Sequence, residues 1–384
     1  MKKIFALILA LVMAGTLAVG CGGSGTNSSP APGSAPPASG ASSAPPAASG
    51  TSSAPPAASG TSSAPPAAAA SYILRIGTGT GGTHPQNIWM QAFKDSLEQA
   101  TNGQIEVQLY PAGQLGSMAE LVQGLVDGSV DSGVFPTSYF STIIPAVACT
   151  DISFTFKDAE QLWRILFNND TKYQAAFEDN GIIVGTWLRN CDRTIISTSP
   201  INSISDIKGK ILWCTPSKVI QQEITLLGGI PSSIDVGELA PAIQNGTVNG
   251  SIQDISLYRS QSLQNSGAKY LLMAPKDPLI TCFGISKTWW DKLPADLQSI
   301  VLDTAKQTVL DVEYPYVDQY VQEAYSTMGD GGLQVVEPSD QLWADMKTAL
   351  AGQKDWFMNL NPDAAPMYDE LCQLVAADNA ANGG

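Results

Sequence analysis

The apolar positions of this chain change period as it is read forward, and the changes mark its elements. Residues 72–77 form a short apolar run of strand type. The glycine-rich turn 77–85 then opens a helix over 86–101, with Ile88, Phe93 and Leu97 on one face and Gly103 past its end. Residues 104–110 predict the next strand and 111–116 a loop. Ser117 and Glu120 have the spacing of a capping box for a helix ending near Asp127. Residues 128–135 predict a buried strand, with Pro136 and Tyr139 just beyond its C-terminal end, where open parallel sheets hold ligands. Strand alternating with helix argues an α/β lobe.

Residues 187–216 organise the rest of the chain. Two short β-branched and apolar runs flank a turn-rich segment, Ser199 to Ser205, and each presents one unusual side chain, Arg193 in the first and Trp213 in the second. As a pair they read as the floor of a small-molecule site. Residues 217–227 predict a helix closed by Gly228, residues 237–244 another, and 251–255 a short element. The run 271–283 ends as a strand in spite of Pro275 and Pro278. Amphipathic patterns over 340–350, with Trp343 and Met346 on one face, and over 364–377 predict two covering helices near the end.

The first seventy residues belong to no core. Lys2 and Lys3 precede an apolar run, residues 4–13, too short to span a bilayer, and small residues follow up to Cys21, the pattern of a secretory signal over residues 1–20. Ala18-Val19-Gly20-Cys21 is similar to the lipobox of bacterial lipoproteins, with Leu17 one place early, which makes Cys21 the expected acylated N-terminus. Residues 22–70 are uncharged, built almost wholly of Gly, Ser, Ala, Pro and Thr, and repeat Ser-Ser-Ala-Pro-Pro-Ala every ten residues. A flexible chain of that length spans roughly 40 Å, so 21–70 reads as a lipid-anchored tether.

Charge and composition then remove whole classes of function. Losing Lys2 and Lys3 with the leader takes the formal charge from −15 to −17, a surface that repels nucleic acid. Of six cysteines, Cys149, Cys191, Cys214, Cys282 and Cys372 fall in the folded part without metal-ligand spacing, so no metal or disulfide framework is expected, although Cys191 and Cys214 sit on neighbouring runs. Gly77, Gly79 and Gly82 match the spacing of a dinucleotide fingerprint, but the next strand ends in Tyr110-Pro111 without the acid that would hold a ribose, so no cofactor is expected. A gentler reading keeps Gly79 and His84, the only histidine, beside a ligand at the helix start. One histidine, no nucleophile elbow and no metal-ligand cluster argue against an enzyme.

Phe93, Gly103-Gln-Ile-Glu-Val with Tyr110-Pro111, Gly113-Gln-Leu-Gly116, Glu120, Gly128-Ser-Val-Asp131, Pro200-Ile201, Asp206-Ile-Lys-Gly209, Glu238 and Asn245-Gly-Thr-Val-Asn-Gly250 stand in an order that resembles the DctP-type solute-binding subunits of TRAP transporters. The likeness implies a two-lobed periplasmic-binding-protein fold of α/β class. Residues 71–192 with about 281–318 would form one lobe. Residues 193–280 with about 319–384 would form the other, including C-terminal covering helices. A long helix over 294–328, with Leu297, Ile300, Val301, Val312, Val317, Val321 and Ala324 inward, would brace both, and Pro315 should kink it.

The resemblance also implies a site. Such proteins typically hold a carboxylate with an arginine on the strand after the Asp-x-x-Gly turn, and here Trp213 occupies that position. A second arginine of some members matches Arg193, with Arg189 a spare; Gly79, Met118, Pro136, Tyr139, Val236 and Gln253 match lining positions, and Asp254 lies just beyond. The implied function is an extracytoplasmic, lipid-anchored receptor that binds a small organic anion, a monocarboxylate paired with Arg193. It would deliver that solute to a small and a large integral membrane subunit. Two alternatives stand beside it: a sensory subunit, or a receptor whose Trp213 and Tyr139 make an aromatic box for a neutral or cationic solute with Asp254 as counter-charge.

Overall fold

The computed structural model describes residues 70–382, and the signal, Cys21 and the tether lie outside them. Among the described residues nine strands form one mixed sheet in the order β2-β1-β3-β8-β4-β7-β5-β6, with β9 alongside β8. The first half follows the period changes. β1 (Tyr72–Gly77) lies parallel to β2 (Ile105–Tyr110) and β3 (Ser132–Pro136), with α1 (Pro85–Ala100) and α2 (Met118–Asp127) as crossovers. The capping box forms: Ser117 Oγ accepts from the Glu120 N–H at 3.3 Å while Glu120 Oε2 accepts from the Ser117 N–H at 2.8 Å. Gly128, in the left-handed region at φ 81°, ends α2. A single turn, α3 (Thr137–Phe140), follows β3, and α4 (Ala159–Asn168) and α5 (Lys172–Glu178) complete this layer.

The centre of the sheet is a pair of very long antiparallel strands. β4 (Ile182–Ser197) and β8 (Tyr270–Ser286) run together from Ile182 opposite Ser286 to Ser197 opposite Tyr270. Where one short strand was expected at 187–197, β4 begins earlier because Ile182 and Val184 are also buried against β8. The register slips near Arg189/Asp192 and Arg193/Thr194, and Pro278 and Pro275 sit opposite Asp192 and Thr194 in this slipped stretch. Bulges are where a sheet tolerates a residue without an N–H.

Beyond the slip come β5 (Ile211–Trp213), α6 (Lys218–Leu226), β6 (Ile230–Ser232), α7 (Leu239–Gln244), β7 (Gly250–Gln253) and α8 (Ile255–Ser260). β7 lies so close to β4 that a Cβ on Gly250 would stand 2.1 Å from the Ile196 carbonyl oxygen, so only glycine permits the pairing there.

The apolar side chains gather in separate clusters. The first fills the β1–β3 half, with Leu74, Phe93, Phe135, Phe140, Trp187 and Phe283. The other two flank the second half, one with Trp213, Leu239, Tyr258 and Met328, the other with Ile195, Leu212, Ile224 and Leu272. These halves are the two lobes, joined by β4, β8 and a long helix.

After α9 (Lys287–Trp290), that helix runs as α10 (Ala295–Thr308), a π-helical turn over Val309–Glu313, and α11 (Tyr314–Asp330). The irregularity expected at Pro315 takes the form of this turn, because proline offers no N–H and its ring crowds the carbonyl four residues back, at Asp311. Leu297, Val301 and Val317 are buried as expected, while Ile300, Val312 and Val321 are half-buried.

The C-terminal segment differs from its expected place. After β9 (Gln334–Val336), α12 (Asp340–Leu350) covers the second lobe with Leu342 and Met346. Then α13 (Gln353–Leu360), which the sequence pattern does not indicate, and α14 (Ala365–Asn382) cross back, and Phe357, Met367, Tyr368 and Leu371 join the first cluster. Polar contacts reinforce that docking: Arg164 on α4 holds Asp378 through two hydrogen bonds of 2.7 Å, and Thr155 meets the Tyr368 hydroxyl at 3.0 Å.

Candidate functional site

The C-terminal ends of β1, β3, β5 and β7 converge where the lobes meet, and the side chains just past each end enclose one cavity. From the first lobe come Thr80, His84, Gln86, Met118, Pro136 and Tyr139; from the crossing strand, Asn190; from the second lobe, Trp213, Val236, Gln253, Asp254 and Leu257. The cavity they enclose is only about 20 Å³, so a solute of more than a few atoms enters only as the lobes part.

Trp213 ends β5, opposite Ser232 of β6 and Ser251 of β7. It is 1% exposed, packs with Val236 and Leu239, and its indole N–H donates to the Ile234 carbonyl at 2.8 Å. The residue therefore serves as core on one side and as cavity wall on another. Tyr139, on the turn after β3, belongs to the first lobe's core, and burial together with nearby Asp235 pushes its hydroxyl pKa up, so it stays neutral. The cavity is bounded by one aromatic ring from each lobe.

Amides and hydroxyls form its polar wall. Gln86 Oε1 accepts from the Thr80 hydroxyl at 3.1 Å while its Nε2 donates to the Thr281 hydroxyl at 3.1 Å, and Asn190 Nδ2 donates to the same Thr281 at 3.3 Å. This chain links α1 to both crossing strands. His84 caps α1, its Nδ1 accepting from the Gln86 N–H at 3.3 Å, and burial lowers its pKa to about 3. The imidazole is neutral, with its remaining proton assigned to Nε2.

Asp254 caps α8, its Oδ1 accepting from the N–H groups of Ser256 at 2.7 Å and Leu257 at 3.0 Å, and burial raises its pKa in spite of those bonds. The neighbouring Gln253 is 3% exposed, and its Oε1 has no partner in the protein.

The expected residues divide accordingly. His84, Met118, Pro136, Tyr139, Trp213, Val236, Gln253 and Asp254 share this cavity. Gly79 does not line it but lines a neighbouring pocket that shares Met118 and Val236, and a Cβ there would meet Met118 Cγ at 2.8 Å.

Arg193 is the correction. It is 1% exposed, is not among the lining residues, and binds Asp151 Oδ1 through Nη2 at 2.6 Å, beside buried Asp277 and Glu223. It lies within the β4–β8 register slip, opposite Asp277, at a junction of four segments with Asp151 and Glu223. Its partner Asp151 is more than forty residues away in sequence, and no local pattern indicates the pair. Arg189 lines a second pocket, with Asn190, Asp192 and Tyr325, and lies 2.7 Å from Asp318 with its guanidinium 5.0 Å from the Tyr314 ring. Cys191 and Cys214 are both free thiols.

Thr80, Gln86, Asn190 and Leu257 line the cavity without having been singled out. Asn190 had a signal, as a polar residue inside the organising stretch; Gln86 had none, since it reads as an ordinary first-turn helix residue.

Comparison with known proteins adds a family and a fold. Residues 76–358 match the family model described as bacterial extracellular solute-binding protein, family 7, DctP. Among relatives, the 2,3-diketo-L-gulonate-binding periplasmic protein YiaO of Escherichia coli is 22% identical over 79% of this chain and 93% of its own length. The C4-dicarboxylate-binding periplasmic protein DctP of Rhodobacter capsulatus is 24% identical over 75% and 83%. Among solved structures, a TRAP periplasmic solute-binding protein of Chromohalobacter salexigens with bound D-glucuronate superposes with a TM-score of 0.74 at 18% identity, covering 78% of this chain and 99% of that one. One of Haemophilus influenzae with bound L-gulonate gives 0.74 at 22%, covering 79% and 99%. The fold is the two-lobed fold of these proteins.

Proposed function

The chain belongs to family 7 of the bacterial extracellular solute-binding proteins, and from that membership we propose that it is the solute receptor of a tripartite ATP-independent transporter. It closes its lobes over a small polar organic solute and delivers it to integral membrane subunits. The observation that carries this reading is the cavity itself, walled by strand ends of both lobes and by Asn190 on the strand joining them. A solute touching both walls stabilises the closed form by its differential affinity for that form.

We further propose that Cys21 is acylated and anchors the receptor outside the cell membrane through residues 22–70. The lipobox-like sequence supports it. Mass spectrometry of the N-terminal peptide tests it, since an unmodified Cys21 would refute the anchor.

For the ligand, the relatives named above support an organic acid rich in hydroxyl groups. The polar wall of Gln86, Asn190 and Gln253 suits hydroxyl recognition. Arg193 does not supply the cation a carboxylate would need. A thermal-shift screen of sugars, sugar acids, amino sugars and short organic acids tests the receptor reading: a ligand at a hundredfold its dissociation constant adds about 2.7 kcal/mol. A screen in which no solute of any class raises the melting temperature would refute it.

A further inference from the structure

We infer that the cleft selects a compact solute bearing a protonated amine, which Gln253 and Asp254 receive between the rings of Trp213 and Tyr139. This inference rests on the receptor reading above and departs from the organic acid named there, because no lysine or arginine lines the cavity.

Four observations carry it. Gln253 stands in the cavity wall, and its Oε1 is buried with no donor in the protein. A buried acceptor left in that state requires a donor from elsewhere. Asp254, the next residue, adds a carboxylate to the same wall, so two adjacent residues with acceptor oxygens line one space. Two aromatic rings from opposite lobes bound it, the arrangement that attracts a cation through ring quadrupoles. Among the residues lining the cavity none is lysine or arginine; the one histidine is held neutral by burial, and Arg193 is bound to Asp151 outside it.

A carboxylate entering this space would meet the carboxylate of Asp254 and no compensating cation, and burial of an unpaired anion is strongly unfavourable. An ammonium reverses each term. It donates to Gln253 and Asp254, lies against the rings, and favours the ionised Asp254 that burial otherwise opposes.

The experiment uses the secreted chain and matched triplets in which one skeleton carries an amine, a hydroxyl or a carboxylate. The triplets are D-glucosamine, D-glucose and D-glucuronate; tyramine, tyrosol and 4-hydroxyphenylacetate; and 3-amino-1-propanol, 1,3-propanediol and 3-hydroxypropionate. Thermal shift ranks them and calorimetry measures the hits. The expected result is that the amine of at least one triplet binds at least tenfold tighter than its carboxylate. Asp254→Asn, which keeps a capping side chain, should then weaken that amine tenfold or more, and Gln253→Met should weaken it as a second, independent variant.

Tighter binding of the carboxylate in every triplet that binds would overturn the inference and leave the receptor reading standing. Unchanged amine affinity in both variants would do the same. Silence from every member of every triplet would tell against the receptor reading and take this inference with it.

Discussion

Replacing Arg193 separates a structural cation from a ligand clamp. The guanidinium is 1% exposed, its Nη2 lies 2.6 Å from Asp151, and Asp277 and Glu223 are fully buried around it. Arg193→Ala leaves three carboxyl groups enclosed without a cation. Breaking a buried pair from one side costs about 3–5 kcal/mol. For a folded part of this size about 2 °C is lost per kcal/mol, so the melting temperature should fall by roughly 6–10 °C.

The loss should also depend on pH, and its sign follows from the two acids that burial already holds above the usual carboxylate range, Glu223 and Asp277. In the folded state they keep protons that the unfolded chain releases, so the fold loses stability as pH rises above the ordinary carboxylate pKa. Arg193 opposes that shift, and removing it pushes both groups higher. The destabilisation should therefore be larger at pH 8 than at pH 5. Calorimetric or urea unfolding of wild type, Arg193→Ala and Arg193→Met at both pH values measures it, with solute affinity followed in parallel. A melting temperature within 2 °C of wild type for Arg193→Ala at pH 8 would refute the ion-pair argument. A folded Arg193→Met that no longer binds its solute would restore the clamp.

Three further outcomes are expected. His84→Gln should flatten the acid limb of the stability curve: burial holds the imidazole near a pKa of about 3, so the unfolded chain binds the extra proton as pH falls below about 6.5, and wild type loses stability through that window while the variant does not. Urea titrations at pH 7 and pH 4.5 would show it, and equal losses in the two proteins would contradict it. Gly250→Ala should cost about 1–3 kcal/mol or more, because the new Cβ would stand 2.1 Å from the Ile196 oxygen, a contact that only a backbone shift relieves; an unchanged melting temperature would show the β4–β7 pairing to be looser than described. Trp213→Arg should strengthen D-glucuronate binding by about 10- to 100-fold, the 1.5–3 kcal/mol of a charge-assisted bond, while lowering stability through lost packing against Val236 and Leu239. Calorimetry with no gain for the carboxylate would separate Trp213 from ligand charge.

The fold was legible wherever period and punctuation agreed. The capping box at Ser117 and Glu120 and the helix end near Asp127 are local devices, and each formed where its spacing indicated, while the strand read as 128–135 is shorter, Ser132–Pro136, because Gly128 caps the helix. Tyr139 was legible for a related reason, as a residue just past a strand end, while Trp213 and Gln253 were placed by the family resemblance; all three line the cavity. The place of Arg193 was not legible, because its partner Asp151 is distant in sequence and lies in a segment with no pattern of its own. The return of α13 and α14 to the first lobe was equally hidden: their apolar faces state that they dock, and not on what.

The closing of each core by distant sequence has a consequence for how the chain is made. The first cluster begins at Leu74 and is finished by Leu371, while the second-lobe clusters need Met328 and Leu350. A polypeptide leaving the ribosome N-terminus first therefore completes neither lobe's core until most of its folded part has emerged.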